Sequence, residues 1–186
     1  KSIIAIFLII IPASIGLVIL SDEITALVYQ RNRFTDIDVK NTSAALIMYS
    51  VGLIFYSFVN LFTKVFHSRK DTKTPVKVAA ISFLLNLIFM LLFIKWLSHA
   101  GIALASSIAS FFNAAILYYL IKDYEFRFKK HISAVLKIVF STICMIFVIF
   151  ILKKFHLNVL IVITISAISY FLMLYILKVN YRGLFR

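Results

Sequence analysis

Residues 49–77, YSVGLIFYSFVNLFTKVFHSRKDTKTPVK, decide the fold of this chain. The stretch begins as an apolar run that is too long for a helix in a soluble core, and it ends in a polar segment, residues 67–77. That segment carries four lysines and arginines against the single acid Asp71, and Pro75 stands where the next apolar run begins. Long apolar runs joined by a charged turn are typical of a pair of membrane-spanning helices.

The composition extends this prediction to the whole chain. Hydrophobic residues make up 63% of the 186 residues, whereas soluble domains contain about 45–50%. Charged residues make up 15% and cluster between the apolar runs. The sequence therefore predicts an all-α, polytopic membrane protein. The net charge of +13 follows from basic loops beside the membrane, so nucleic acid is not an expected partner.

Six apolar segments are close to the roughly 20 residues that a spanning helix needs. They cover residues 3–20, 43–66, 76–97, 101–121, 133–152 and 157–178. The sequence thus predicts six transmembrane helices followed by a short basic tail. Within the first helix, Pro12 and Gly16 predict a bend, which is either a hinge or a kink without function.

The longest connection, residues 21–41, is predicted to hold a short interfacial helix near residues 22–33. Ser21 is a candidate N-cap for it, because serine side chains accept hydrogen bonds from N–H groups of the first turn. Further on, Thr35 and Asp38 have the spacing of a capping box at the start of the next long helix.

One face of the second segment is polar. Tyr49, Tyr56 and Asn60 recur at spacings of seven and four, which places them on one side of a helix. An asparagine that faces lipid is costly, so this side is predicted to face the helix bundle or a wet cavity. Interhelical hydrogen bonding without a cavity is the alternative.

The fourth segment combines small and polar residues. Small residues recur every four positions, which favours close packing between helices. Ser106 and Ser110 are also four apart, and Asn113 follows about one turn later. Two interpretations stay open, namely a packing seam and a polar seam that lines a pathway.

The distribution of positive charge predicts the orientation. If all six segments span the membrane, 14 of the 20 lysines and arginines lie on the same side as the two chain ends. Cytoplasmic loops retain an excess of these residues. Both ends and the 67–77 segment are therefore predicted to be cytoplasmic, and residues 21–41 extracytoplasmic.

Motifs for catalysis are missing from the sequence. The four glycines are scattered, which excludes a Gly-rich phosphate loop, and the four histidines have no metal-ligand spacing. No acidic residue lies inside an apolar segment. We therefore expect no cofactor, no metal and no enzymatic activity, and the classes that remain are a transporter segment and a membrane assembly subunit.

Four stretches of the chain resemble the MurJ (MviN) lipid II flippases of the multidrug/oligosaccharidyl-lipid/polysaccharide exporter superfamily. The most specific part is FHSRKDTKTPVK, where the family pattern is an aromatic pair, a small residue, a basic position and then D-x-(K/R)-T-P-V. The stretches are PASIGLVIL at 12–20, ITALVYQRNRFTDIDVKNTSAALIMYSVGLIFYS at 24–57, FHSRKDTKTPVKVAAISFLLNLI at 66–88 and AGIALASSIASFFNAAILYYL at 100–120.

This resemblance implies a fold of fourteen spans with both ends in the cytoplasm, of which this chain would supply the last six. Residues 1–122 would hold four spans of the C-terminal lobe, and residues 123–186 two extra apolar helices and the basic tail. The implied function is transfer of lipid II, the undecaprenyl-diphosphate-linked peptidoglycan precursor, across the bacterial cytoplasmic membrane by alternating access. The implied partners are membrane lipids and an N-terminal lobe, and the extra helices would flank a hydrophobic groove for the lipid tail.

The resemblance also suggests sites. A substrate cavity would be lined by Tyr49, Tyr56, Asn60, Ser106, Ser110 and Asn113. A cytoplasmic hairpin that meets lipid phosphates would contain Arg69, Asp71, Lys73, Thr74, Pro75 and Lys77. Asn86 and Ser106 are of the right type for a sodium site, but the accompanying carboxylate is absent, and Met90 lies one turn beyond Asn86. The arginines that the family uses for the diphosphate belong chiefly to spans that precede this chain.

Two other functions stay open for the sequence. One is export of polysaccharide units or drugs by a member of the same superfamily. The other is a non-transporting scaffold subunit of cell-wall assembly.

Overall fold

The computed structural model describes residues 2–121, 132–155 and 157–178. Nearly all of these residues are helical and none lies in a strand, which confirms the all-α fold. The helices are α1 (Ser2–Ile19), α2 (Ser21–Tyr29), α3 (Asp36–Ser68), α4 (Lys73–Ile121), α5 (Ile132–Lys154) and α6 (Val159–Ile176). The predicted basic tail lies outside the described residues.

Helix α4 is a hairpin of two arms. Its 49 residues would extend over about 74 Å as a straight helix, which is far longer than a bilayer core. Ser98 interrupts it with φ 48° and ψ −123°. Beyond this break the chain folds back, since Ser106 Oγ lies 3.5 Å from Asn86 Oδ1 although 20 residues separate them. We name the arms α4a (residues 73–97) and α4b (residues 99–121).

The predicted spanning segments correspond to these helices. Among the described residues, four helices are long and apolar enough to cross a membrane, and the bent pair α1–α2 would make a fifth span. Because α4 contains two arms, each of the six predicted segments is helical. The helix boundaries differ from the prediction mainly at α3, which begins seven residues earlier than the predicted span because the polar residues 36–42 continue the same helix.

The first two helices form an elbow. The axis turns by 76° between α1 and α2, and α2 ends at Tyr29, earlier than predicted. The predicted N-cap at Ser21 is wrong, because Leu20 occupies the N-cap position and has no side-chain hydrogen bond to offer. The Ser21 hydroxyl instead donates to the carbonyl of Val18 at 3.1 Å, since the serine already lies within the turn.

The capping box at the start of α3 is confirmed. Thr35 Oγ1 accepts from the Asp38 N–H at 3.4 Å, and Asp38 Oδ2 accepts from the Thr35 N–H at 2.9 Å. Two N–H groups that have no partner within the helix are thereby satisfied.

Two lysines fasten helix α5 at its ends. Lys137 donates to the carbonyl of Leu177, the C-cap of α6, at 2.9 Å. At the other end, Lys153 pairs with Glu23 at 2.6 Å and donates to the carbonyl of Ile19 at 3.3 Å. The carbonyls at the end of a helix lack intrahelical partners, so both lysines satisfy groups that need a donor.

Helix α1 belongs to both halves of the structure. One apolar cluster joins α1, α5 and α6, and a second joins α3 and α4. Leu8 of α1 lies in the first cluster and Ile6 packs against the second. Because α1 packs against α3 and α5, it links the two halves, and α2 adds a second link because it packs against α3 and α6. The division of the chain at residues 122 and 123 stays a prediction.

Candidate functional site

A cavity of about 460 Å³ opens between α3 and the two arms of α4. Most of its surface is apolar, and we call it the polar cavity because serine, asparagine and tyrosine side chains also line it. Five of the six residues predicted for a substrate cavity line it, namely Tyr49, Tyr56, Ser106, Ser110 and Asn113. Asn86 lines it as well. Asn60 is not among the lining residues, although it lies on the same side of α3 one turn after Tyr56, where it is exposed. The structure thus brings together side chains from three predicted spans.

The floor of the cavity is a close helix crossing. Ser107 of α4b donates its hydroxyl to the carbonyl of Met48 on α3 at 2.6 Å. Gly52 faces the same serine, and a Cβ added to this glycine would overlap Ser107 Oγ. Small residues allow helix backbones to approach in this way. Ser107 therefore packs at a close helix crossing, while Ser106 and Ser110 of the same arm line the cavity. A pathway along this polar seam stays a prediction.

The cavity offers neutral hydrogen-bonding groups. Asn113 Oδ1 is buried and has no hydrogen-bond partner among the described residues. Tyr49 and Tyr56 are 51% and 57% exposed and flank the opening. No lysine or arginine is among the residues that line the cavity. This lining can bind hydroxyl and amide groups, but it supplies no positive charge for a phosphate.

The pair predicted as a possible ion site lies in the wall of this cavity. Ser106 Oγ is 3.5 Å from Asn86 Oδ1, and the same hydroxyl donates to the carbonyl of Ile102 at 3.2 Å. Within the described residues, no group of three or more His, Cys, Asp or Glu side chains is placed to hold a metal. An ion site formed by Asn86 and Ser106 stays a prediction.

The polar turn between α3 and α4 is ordered by Asp71. Its Oδ1 accepts from the N–H groups of Lys73 at 3.1 Å and Thr74 at 3.0 Å, so the carboxylate caps α4. Hydrogen bonds from the side chain and the N–H of Thr74, with the N–H of Lys73 and the charge of Lys77, hold the pKa of this carboxyl below its ordinary value.

The other predicted hairpin residues lie around this cap. Pro75 is buried in the first turn of α4, where its missing N–H costs no hydrogen bond. The side chains of Arg69, Lys73 and Lys77 are exposed, and Thr74 is partly buried. Their contact with lipid phosphates stays a prediction.

An apolar groove of about 400 Å³ lies between α1, α5 and α6. Pro12 and Gly16, the predicted hinge residues, form part of its wall. Helix α1 passes through both of them as one helix, and the sharp change of direction lies further on, at Leu20. Ser166 Oγ is buried at the groove and has no hydrogen-bond partner among the described residues. Movement at Pro12 stays a prediction.

Sequence reasoning missed one residue of this groove. Tyr170 of α6 is buried, and its hydroxyl donates to the carbonyl of Leu8 at 2.7 Å. A tyrosine in the middle of a largely apolar helix, together with a proline in another, was the signal that could have drawn attention to it. The sequence does not show that the two meet.

A family model described as lipid II flippase MurJ matches residues 1–175. The chain belongs to the MurJ lipid II flippase family. This confirms the family that the four sequence stretches resemble. The match includes all six helices almost to the end of α6.

Named relatives and a solved structure agree with the family match. The probable lipid II flippase MurJ of Rickettsia prowazekii is 37% identical over 129 residues, which are 69% of this chain and 25% of that protein. The lipid II flippase MurJ of Thermosipho africanus is 35% identical over 140 residues, 75% of this chain and 28% of that protein. The chain also resembles a solved structure of a lipid II flippase MurJ in an inward closed conformation, with a TM-score of 0.80 and 34% sequence identity. The aligned region covers 97% of this chain and 38% of the chain in that structure.

The aligned chain spans about a quarter of the length of these MurJ relatives. The comparisons therefore show the family and the helical membrane fold of this portion.

Proposed function

We propose that this chain forms the C-terminal part of a lipid II flippase, which moves the lipid-linked peptidoglycan precursor across the bacterial cytoplasmic membrane by alternating access. The observation that carries the proposal is the MurJ family match over residues 1–175. The polar cavity between α3 and α4 gives the proposal a physical site within a helical membrane fold.

In this proposal the cavity receives part of the sugar and peptide headgroup. Hydroxyl and carboxamide side chains suit such a headgroup because they donate and accept hydrogen bonds. The diphosphate carries negative charge that the lining does not neutralise. The proposal therefore assigns the cations to a partner surface, the N-terminal lobe that the resemblance implies.

The remaining sites take complementary roles. The apolar groove between α1, α5 and α6 suits the isoprenoid tail, because its lining is almost entirely aliphatic and aromatic. The positive-inside rule assigns the turn around Asp71 to the cytoplasmic side. On that side, Arg69 and Lys73 would contact lipid phosphates. Both chain ends are assigned to the same side.

The test uses cells in which the complete flippase that contains this chain is depleted. An externally added enzyme that cleaves lipid II reports the fraction of lipid II in the outer leaflet. We expect depletion to lower that fraction, and the native gene to restore it. Ser110→Phe should fail to restore it, because the ring would fill the cavity that Ser110 lines.

The matched control is Leu120→Phe, which adds a similar ring to an exposed position on the same arm. It should restore the outer-leaflet fraction. An unchanged outer-leaflet fraction after depletion would contradict the transport function and would favour the scaffold subunit. Equal behaviour of Ser110→Phe and Leu120→Phe would contradict the assignment of the cavity.

A further inference from the structure

Helix α1 contains a proline that removes one of its own hydrogen bonds. Pro12 has no N–H, so the carbonyl of Leu8, four residues earlier, loses its usual helical donor. Leu8 is 6% exposed and lies among apolar side chains of α1, α5 and α6. In a membrane-embedded bundle no water replaces the lost donor, so such a carbonyl needs another protein group.

Helix α6 supplies that group. The Tyr170 hydroxyl donates to the Leu8 carbonyl at 2.7 Å, although the two residues are 162 positions apart. Tyr170 is 2% exposed and belongs to the same apolar cluster. A buried tyrosine hydroxyl also needs a partner. Two polar groups that would each be costly alone therefore satisfy each other.

This hydrogen bond lies in the part of α1 that connects the apolar groove to the wall of the polar cavity. Pro12 and Tyr170 both line the apolar groove, one from each side. Helix α1 also packs against α3, which forms a wall of the polar cavity. A change in the bend of α1 at Pro12 would therefore alter the shape of the groove and the position of the α3 wall of the cavity.

We propose that Tyr170 is a positioning residue whose hydrogen bond to the Leu8 carbonyl braces α1 at Pro12, so that α6 controls how far α1 bends there. The brace exists because of the proline. With an N–H at position 12, α1 would supply a donor to the Leu8 carbonyl by itself, and loss of the Tyr170 hydroxyl would no longer leave that carbonyl without one. This inference depends on the described contacts and not on the identity of the substrate.

The test is a double-mutant cycle in the full 186-residue chain in lipid bicelles, with stability followed by titration with SDS. Interhelical hydrogen bonds in membranes are worth about 0.6 kcal/mol on average and up to about 1.7. We therefore expect Tyr170→Phe to shift the unfolding equilibrium by about threefold to twentyfold in the native background. In a Pro12→Ala background the same change should shift the equilibrium less, because the Leu8 carbonyl then keeps a helical donor.

A second readout follows α1 itself. Hydrogen exchange measured by mass spectrometry should rise in α1 on Tyr170→Phe, because a helix that loses its brace opens more often. The rise caused by Tyr170→Phe should be smaller in the Pro12→Ala background. Pro12→Leu provides a second background with an N–H at this position, and Tyr175→Phe removes a hydroxyl from an exposed position of the same helix.

The cycle separates bracing from ordinary packing. A role in packing alone would give the same loss in the native, Pro12→Ala and Pro12→Leu backgrounds, and that result would overturn the inference. So would a Tyr170→Phe chain that is as stable as the Tyr175→Phe control. A loss that is larger in the proline-containing background than in the Pro12→Ala and Pro12→Leu backgrounds would establish the brace.

Discussion

Substitution of Gly52 by alanine should loosen the helix crossing beneath the polar cavity. A Cβ added to Gly52 would lie 2.8 Å from Cβ and 2.9 Å from Cα of Ser107, and closer still to its Oγ. The Ser107 Cα is part of a helix backbone and cannot rotate away, so α3 and α4b would have to separate. Overpacking of this kind costs about 1–3 kcal/mol. We expect Gly52→Ala to lower the free energy of unfolding by that amount.

Gly16 provides a matched control for the same substitution. A Cβ added there would meet nothing within 4 Å. Replacing glycine by alanine inside a helix gains roughly 0.5–1 kcal/mol because the unfolded chain loses freedom. Gly16→Ala should therefore be neutral or stabilising. The two alanine variants differ in sign because one site has a neighbouring backbone and the other has open space.

Both variants can be measured in lipid bicelles by titration with SDS, with helicity followed by circular dichroism. Ser107→Ala in the Gly52→Ala chain should restore only part of the loss, because it removes the Oγ atom and leaves Cβ and Cα in place. A Gly52→Ala chain as stable as the native one would refute this reasoning. Equal destabilisation by Gly16→Ala would show that the effect comes from any alanine in these helices and not from the crossing.

Two further predictions concern the turn between α3 and α4, and one concerns the elbow. Replacing Arg69 and Lys73 by glutamate should impair lipid II transport by the complete flippase, and full transport with normal membrane insertion would exclude their proposed role at lipid phosphates. The depressed pKa of Asp71 means that its capping contribution is present above the ordinary value of 3.8 and is lost as the pH falls through the lower folded-state pKa. Between about pH 5 and pH 3 the free energy of unfolding should therefore fall, and Asp71→Asn should reduce this fall, because asparagine still caps and does not titrate. Part of the fall should remain, because hydrogen bonds from Thr35 also lower the pKa of Asp38. An unaltered fall would contradict the contribution of Asp71. Lys153→Glu should lower the free energy of unfolding, because it places a second acid beside Glu23 at the elbow. The double variant Lys153→Glu/Glu23→Lys should recover part of that loss in the same unfolding assay. No recovery would mean that the ion pair does not hold α5 against the elbow.

The helices could be predicted from the sequence because the bilayer imposes their length. Apolar runs of about 20 residues between charged breaks leave few alternatives to spanning helices. The polar side of α3 could be predicted as well, since Tyr49 and Tyr56 are spaced at helical intervals. The capping box of Thr35 and Asp38 is local, so its geometry follows from a spacing of three residues.

The predictions that the structure did not match, and the contact that could not be predicted, have a different physical origin. Ser21 is a good N-cap by type, but the preceding helix continues up to it, so its hydroxyl bonds back into the turn before it. Asn60 has the periodicity of the cavity residues, but periodicity fixes only a helix face and not how far along that face a cavity extends. The partner of the Leu8 carbonyl could not be predicted, because the sequence shows that Pro12 removes a donor and not which distant side chain replaces it.

Helix α1 is in contact with both proposed binding sites, since it lines the apolar groove and packs against the α3 wall of the polar cavity. Its groove side contains Pro12 and Gly16, and it packs against α3 as well as α5. An isoprenoid tail that entered the groove would press on the wall that the Tyr170 brace holds in place. If the hinge predicted at Pro12 exists, loss of the brace would let α1 bend there and shift against α3, which carries Tyr49 and Tyr56 of the cavity lining. Binding of the tail and access to the headgroup cavity would then be coupled through one helix, without direct contact between the two sites.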